Sequence, residues 1–103
     1  MKWDERDEND SRVVDTQGWL ALSNYSNLQN RSGVYLFINK REDVKYIGKA
    51  GPRRMVDEVA DAIRRGKDRN ASMVGALYTN SDANAQSLES ILIDKYDPPN
   101  NRT

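Results

Sequence analysis

The chain has 103 residues, 37% apolar and 31% charged, with zero net charge: enough for one domain with a modest core, and without an apolar run near the roughly 18 residues that span a bilayer. It contains no cysteine and no histidine, which excludes disulfides, thiolate metal sites, a cysteine nucleophile, and the commonest general base and zinc ligand. Acid–base work therefore falls to Tyr, Lys, Asp, Glu or bound water, and any metal must be held by oxygen, which points to magnesium or manganese.

Residues 1–12 are polar and charged without periodicity, and the chain reads as a flexible acidic tail over 1–13 followed by a single domain over 14–103. In the stretch 14–28, Trp19, Leu22 and Tyr25 recur at three-residue steps, which predicts one or two helical turns capped by Asp15 or Thr16. Asn30 to Gly33 is a turn. The β-branched and aromatic run from Val34 to Ile38 predicts a buried strand. Asn39 to Asp43 reads as a hairpin turn and Val44 to Ile47 as the return strand. After the loop from Gly48 to Gly51, Pro52 suits the first helical position. Val56, Val59, Ala60 and Ile63 then follow helical spacing to about Arg65, with Gly66 as the stop. Met73 to Thr79 predicts a third strand, weakened by Gly75 inside it. Asn80 to Asp82 turns and caps a second helix marked by Ala85, Leu88, Ile91, Leu92 and Tyr96, which Asp97-Pro98-Pro99 ends. The sum is an α+β fold with a small three-stranded antiparallel sheet flanked by helices.

Zero net charge argues mildly against a nucleic-acid partner, but the charge is unevenly spread. Residues 1–15 hold six acids and three bases, whereas residues 40–69 hold ten bases and six acids. A phosphate-contacting face fits the second stretch, and so does a solvated surface of mixed charge. The acidic start has no apolar signal core, and with the absence of cysteine this predicts an intracellular protein, cytoplasmic or nucleoid-associated, with no membrane partner.

Gly33-Val34-Tyr35 is followed eleven residues after its tyrosine by Tyr46-Ile47-Gly48-Lys49-Ala50. Further on, Ser87 to Ile93 surrounds Glu89, with Pro98 nine residues and Asn101 twelve residues beyond it. This ordered set resembles the signature of the GIY-YIG nucleases, in particular their excision-repair branch, over roughly residues 32–102. The resemblance implies the GIY-YIG fold and a metal-dependent endonuclease that hydrolyses phosphodiester bonds in DNA. It implies that Glu89 is the metal ligand, with magnesium or manganese completed by water or phosphate oxygens. Tyr35 or Tyr46 would position or deprotonate the attacking water, and the resemblance favours Tyr35. Lys49 would assist that tyrosine or touch the phosphate. An arginine early in the first helix would bind the scissile phosphate through its fixed fork of donors. The loop from Tyr46 is about two residues shorter than the family's; Arg54 is the first choice, because it precedes an apolar residue as the family's arginine does, and Arg53, nearer the apolar stripe of the helix, is the runner-up. Glu58 stands where many members carry a histidine. Gly48, Arg53 and Asn101 are the expected substrate-binding positions, Asn101 in a supporting role.

Two other readings stand beside this one. A GIY-YIG module with weak or no turnover would bind nucleic acid within a repair, recombination or defence complex. An interaction protein would use acidic residues 4–10 against a basic partner. A homodimer or a larger protein partner would supply specificity in the nuclease reading. The basic run Arg64-Arg65-Gly66-Lys67-Asp68-Arg69 reads equally as a backbone-tracking element and as a solvated helix end that favours the helix dipole.

Overall fold

The computed structural model describes residues 1–102. Four strands, β1 (Asp15–Ala21), β2 (Gly33–Ile38), β3 (Val44–Ala50) and β4 (Met73–Tyr78), form one sheet in the order β1-β4-β2-β3, with every neighbouring pair antiparallel. Two helices, α1 (Met55–Arg64) and α2 (Asp82–Tyr96), cover it. The fold class is therefore the expected α+β arrangement, but the sheet has four strands rather than three.

β2 is central and all six of its residues are buried, which is why it reads as an unbroken apolar run. Alternate side chains of a strand point to opposite faces, so the sheet divides its core in two. Tyr35, Phe37, Tyr46, Ala50, Val74 and Tyr78 pack with Met55, Val59 and Ala62 of α1. Val34, Leu36, Ile38, Ile47 and Leu77 pack with Leu88, Leu92 and Tyr96 of α2.

The added strand is β1, where a helix was expected. The three-residue rhythm was real but spans two elements. Leu22 and Tyr25 lie on a 3-10 segment, Leu22–Asn27, that is kinked at Asn24, and both pack against the α1-side core. Trp19 belongs to β1 and packs on the α2-side core instead. It lies over Gly75 of β4, where an added Cβ would come within 2.7 Å of the indole. Gly75 therefore makes room in the strand that it was expected to weaken.

The flexible acidic tail is a second correction. Residues 1–13 are folded onto the domain: Trp3 is buried, stacks on Tyr96 at 5.4 Å between ring centres and meets Trp19 edge-on at 6.2 Å. Its backbone N–H donates to the Glu42 carbonyl at 2.8 Å, and Val44 N–H donates to Met1 O at 2.9 Å. A 3-10 helix, Glu5–Asn9, follows, capped by Asp4, and Lys95 pairs with Asp7 at 2.8 Å. One tryptophan in a charged run carries no periodicity, so the sequence pattern could not reveal this anchor.

The helix ends follow the sequence closely. α2 starts at the Ser81 cap, whose hydroxyl accepts from Asn84 N–H at 3.1 Å, and stops at Asp97 in the left-handed conformation. α1 stops before Gly66, whose φ is +76°. It begins at Met55 rather than Pro52, because Arg53 at φ +64° interrupts the chain between them. Ile91, expected on the buried stripe of α2, is 47% exposed.

Candidate active site

Both signature glycines are glycines for steric reasons. A Cβ at Gly33 would lie 2.3 Å from the Leu77 carbonyl oxygen on β4. A Cβ at Gly48 would lie 2.2 Å from Cζ and 2.3 Å from the hydroxyl of Tyr35, its register partner on β2. The second triplet therefore ends in the one residue that lets the tyrosine of the first lie flat across β3. Gly48 is buried beneath that ring and serves as a spacer there.

Tyr35 and Tyr46 face α1 with ring centres 6.1 Å apart. Their environments differ. Tyr35 is 2% exposed and its hydroxyl donates to the Glu58 carbonyl at 3.5 Å. Burial above all, then the neighbouring Tyr46 and Glu58, pushes its phenol far above the ordinary value. Tyr46 is 9% exposed, and the Lys67 ammonium lies 5.9 Å from its ring centre. The Arg65 guanidinium is held above its ordinary value, with the Tyr46 side chain the first cause, and its Nε donates to Asp61 Oδ2 at 3.0 Å. Arg65 was visible in the sequence only as part of a basic run.

Lys49 and Glu89 lie on the other side of β3. Lys49 Nζ donates to Asp82 Oδ1 at 2.7 Å, at the first turn of α2. Glu89 sits half-buried on α2; burial raises its carboxyl above the ordinary value, and the Lys49 charge partly opposes this. Among the described residues no three acidic side chains gather at one point.

Asn101 joins the two sides at the open edge of the sheet. Its Oδ1 accepts from Ile47 N–H at 2.9 Å and its Nδ2 donates to Ile47 O at 2.8 Å. Ile47 lies between Tyr46 and Gly48, so this clamp fixes the strand that carries the site. It also occupies both ends of the amide. Asn100, 5% exposed, does the same for the turn after α1, donating to the Lys67 and Arg69 carbonyls at 2.9 Å each.

The two early arginines do not join the tyrosines. Arg53 is exposed. Arg54 is half-exposed and spends its guanidinium on Asp57 at 3.1 Å and Glu58 at 3.3 Å. Glu58, at the position of the family's histidine, is thus the arginine's partner.

No family model matches the chain. It is 35% identical over 81 residues, 72% of its length, to UvrABC system protein C of Novosphingobium aromaticivorans, and spans 12% of that relative. Among solved structures it is similar to the GIY-YIG N-terminal endonuclease domain of UvrC from Thermotoga maritima, bound to its catalytic divalent cation, magnesium. That match has a TM-score of 0.65 at 25% identity and covers 76% of this chain and 91% of the other. Forms of that domain with an asparagine changed to alanine or a tyrosine changed to phenylalanine match at the same TM-score of 0.65. On its fold, on the paired triplets packed through Gly48 and on these likenesses, the chain belongs to the GIY-YIG endonuclease superfamily.

Proposed function

We propose that this domain is a DNA endonuclease that hydrolyses phosphodiester bonds with a magnesium or manganese ion held by Glu89. One observation carries the reading: the edge strand β3 bears Tyr46 on one face and Lys49, near Glu89, on the other, with Asn101 locking Ile47 between them. A nucleic-acid backbone laid across that edge meets a hydroxyl, a cation and a carboxylate together.

Glu89 fits a hard divalent cation. It is a half-buried carboxylate whose charge is only partly offset by Lys49, and magnesium tolerates a single protein carboxylate because it keeps most of its waters. Bound there, the cation would stabilise negative charge on the leaving oxygen. Tyr46 takes the water-orienting role first given to Tyr35. A hydroxyl turned into protein and held neutral by burial is a poor partner for water, whereas Tyr46 is the less buried of the two. The water oxygen bonds to phosphorus as the bond to the departing sugar oxygen breaks; Tyr46 orients the water, whose proton passes to solvent, and the departing oxygen takes a proton from solvent. Lys49 neutralises phosphate charge from the α2 side.

A second reading has one observation in its favour. Arg54 is paired with Asp57 and Glu58, which supports a module that binds nucleic acid and cuts it weakly within a repair, recombination or defence complex inside the cell. In either case selectivity beyond the site would come from a second copy or a protein partner.

The test is nicking of supercoiled plasmid in magnesium or manganese, wild type beside Glu89→Gln. The wild type is expected to give relaxed circles only with a divalent cation, and the variant to lose about 100-fold or more of the rate. The variant should stay folded. Because folding raises the proton affinity of Glu89, its charge costs stability as pH climbs past the ordinary carboxylate range, so in chelator at neutral pH Glu89→Gln melts at or above the wild-type temperature. Folded wild type that cuts in neither metal, or equal cutting by both proteins, would overturn the reading.

A further inference from the structure

Lys49 is tied to α2 by one bond. Its Nζ donates to Asp82 Oδ1 at 2.7 Å, across the gap between the end of β3 and the first turn of α2. That carboxylate has no other hydrogen bond among the described residues. It is not needed to cap the helix, because the Ser81 hydroxyl accepts from Asn84 N–H at 3.1 Å. Nor does the pair hold the fold together: with the Lys49 side chain 26% and the Asp82 side chain 53% exposed, an ion pair of this kind contributes little stability. The chain nevertheless leaves the carboxylate its place. A Cβ at Gly51, in the loop that leaves β3, would come within 3.3 Å of the same Asp82 Oδ1. Asp82 stands seven residues before Glu89 on α2, so the two lie near one face of the helix, about 10 Å apart along its axis at 1.5 Å per residue. The ammonium is therefore fixed to the helix that carries the proposed metal ligand, two turns before it.

We propose that Asp82 is a positioning residue for phosphodiester hydrolysis: it holds the Lys49 ammonium at the start of α2, so that its charge is in place before the phosphate arrives. The proposal rests on the nuclease reading above and names a residue that acts there only through Lys49. A lysine is a point charge on a flexible four-carbon stem, and an untethered stem spreads that charge over many rotamers. Ordered by Asp82, the ammonium keeps two of its three donors for phosphate oxygens and needs no rearrangement as negative charge grows in the transition state. Arg54 differs, with two carboxylates on its guanidinium. Asp82 belongs to the polar turn before α2, so no local pattern in the sequence links it to a lysine on β3.

The test is a double-mutant cycle of Asp82→Asn and Lys49→Met, with Asp82→Glu beside it. Single-turnover plasmid nicking is measured in magnesium at saturating protein, and binding of a labelled duplex by anisotropy in calcium. Asp82→Asn is expected to lower the cleavage rate about tenfold without weakening duplex binding, since it removes a negative charge, and to melt within about 4 °C of wild type. Lys49→Met is expected to lose about 100-fold, and the double variant no more than that. Asp82→Glu, which keeps the carboxylate, should return to within about threefold of wild type. An unchanged rate in Asp82→Asn, the same loss repeated on top of Lys49→Met, or a rate loss matched by an equal loss of duplex binding would overturn the proposal and leave the nuclease reading in place. Folded wild type that cuts nothing would overturn both.

Discussion

A single methyl group is enough to test why Gly48 is a glycine. In Gly48→Ala the new Cβ must displace the Tyr35 ring, whose Cζ it would meet at 2.2 Å, and the overpacking should cost about 1–3 kcal/mol in a urea melt. Gly33→Ala should cost more, because the obstacle at 2.3 Å is backbone and cannot swing aside. Gly18→Ala, with nothing within 4 Å of its Cβ, is the neutral comparison. Residue identity and order in the sequence were sufficient to bring Tyr35, Tyr46, Gly48, Lys49 and Glu89 to attention. They did not distinguish the two tyrosines, because burial is a property of the packed α1 face and not of spacing. Arg54 satisfies the family's order, and its guanidinium pairs with Asp57 and Glu58, which local order alone does not reveal.

At the scale of elements, the strong local signals held. The turn of the β2–β3 hairpin, the Gly66 stop of α1 and the Ser81 cap of α2 lie where composition and caps place them, although β3 runs on to Ala50 through residues expected as a loop. The misreadings came where one pattern crossed an element boundary, as at Trp19, Leu22 and Tyr25, or where one residue anchors a whole segment, as at Trp3. The anchor is testable. Trp3→Ala removes a buried indole stacked on Tyr96 and should cost about 3 kcal/mol or more, with the loss seen in chemical denaturation. Were residues 1–13 a free tail, the same substitution would fall within about 0.5 kcal/mol of wild type.

Across the whole molecule the exposed edge of the sheet is the organising feature. β3 has one open side, which would invite pairing with another chain. Met1 covers it at Val44 and Asn101 covers it at Ile47, while Lys45 and Lys49 add charge. The coverage that protects the edge also fixes the strand bearing both site groups, so stability and function share the same contacts. In the proposed site Tyr46 faces α1 on one side of this edge, and α2 sets Glu89 within reach of the Lys49 charge on the other. Nicking by Tyr46→Phe and Tyr35→Phe, measured side by side in magnesium under single-turnover conditions, tests this arrangement most directly. The account predicts a loss of about 100-fold or more for Tyr46→Phe and less than about tenfold for Tyr35→Phe. Full activity in Tyr46→Phe, with Tyr35→Phe inactive, would contradict it.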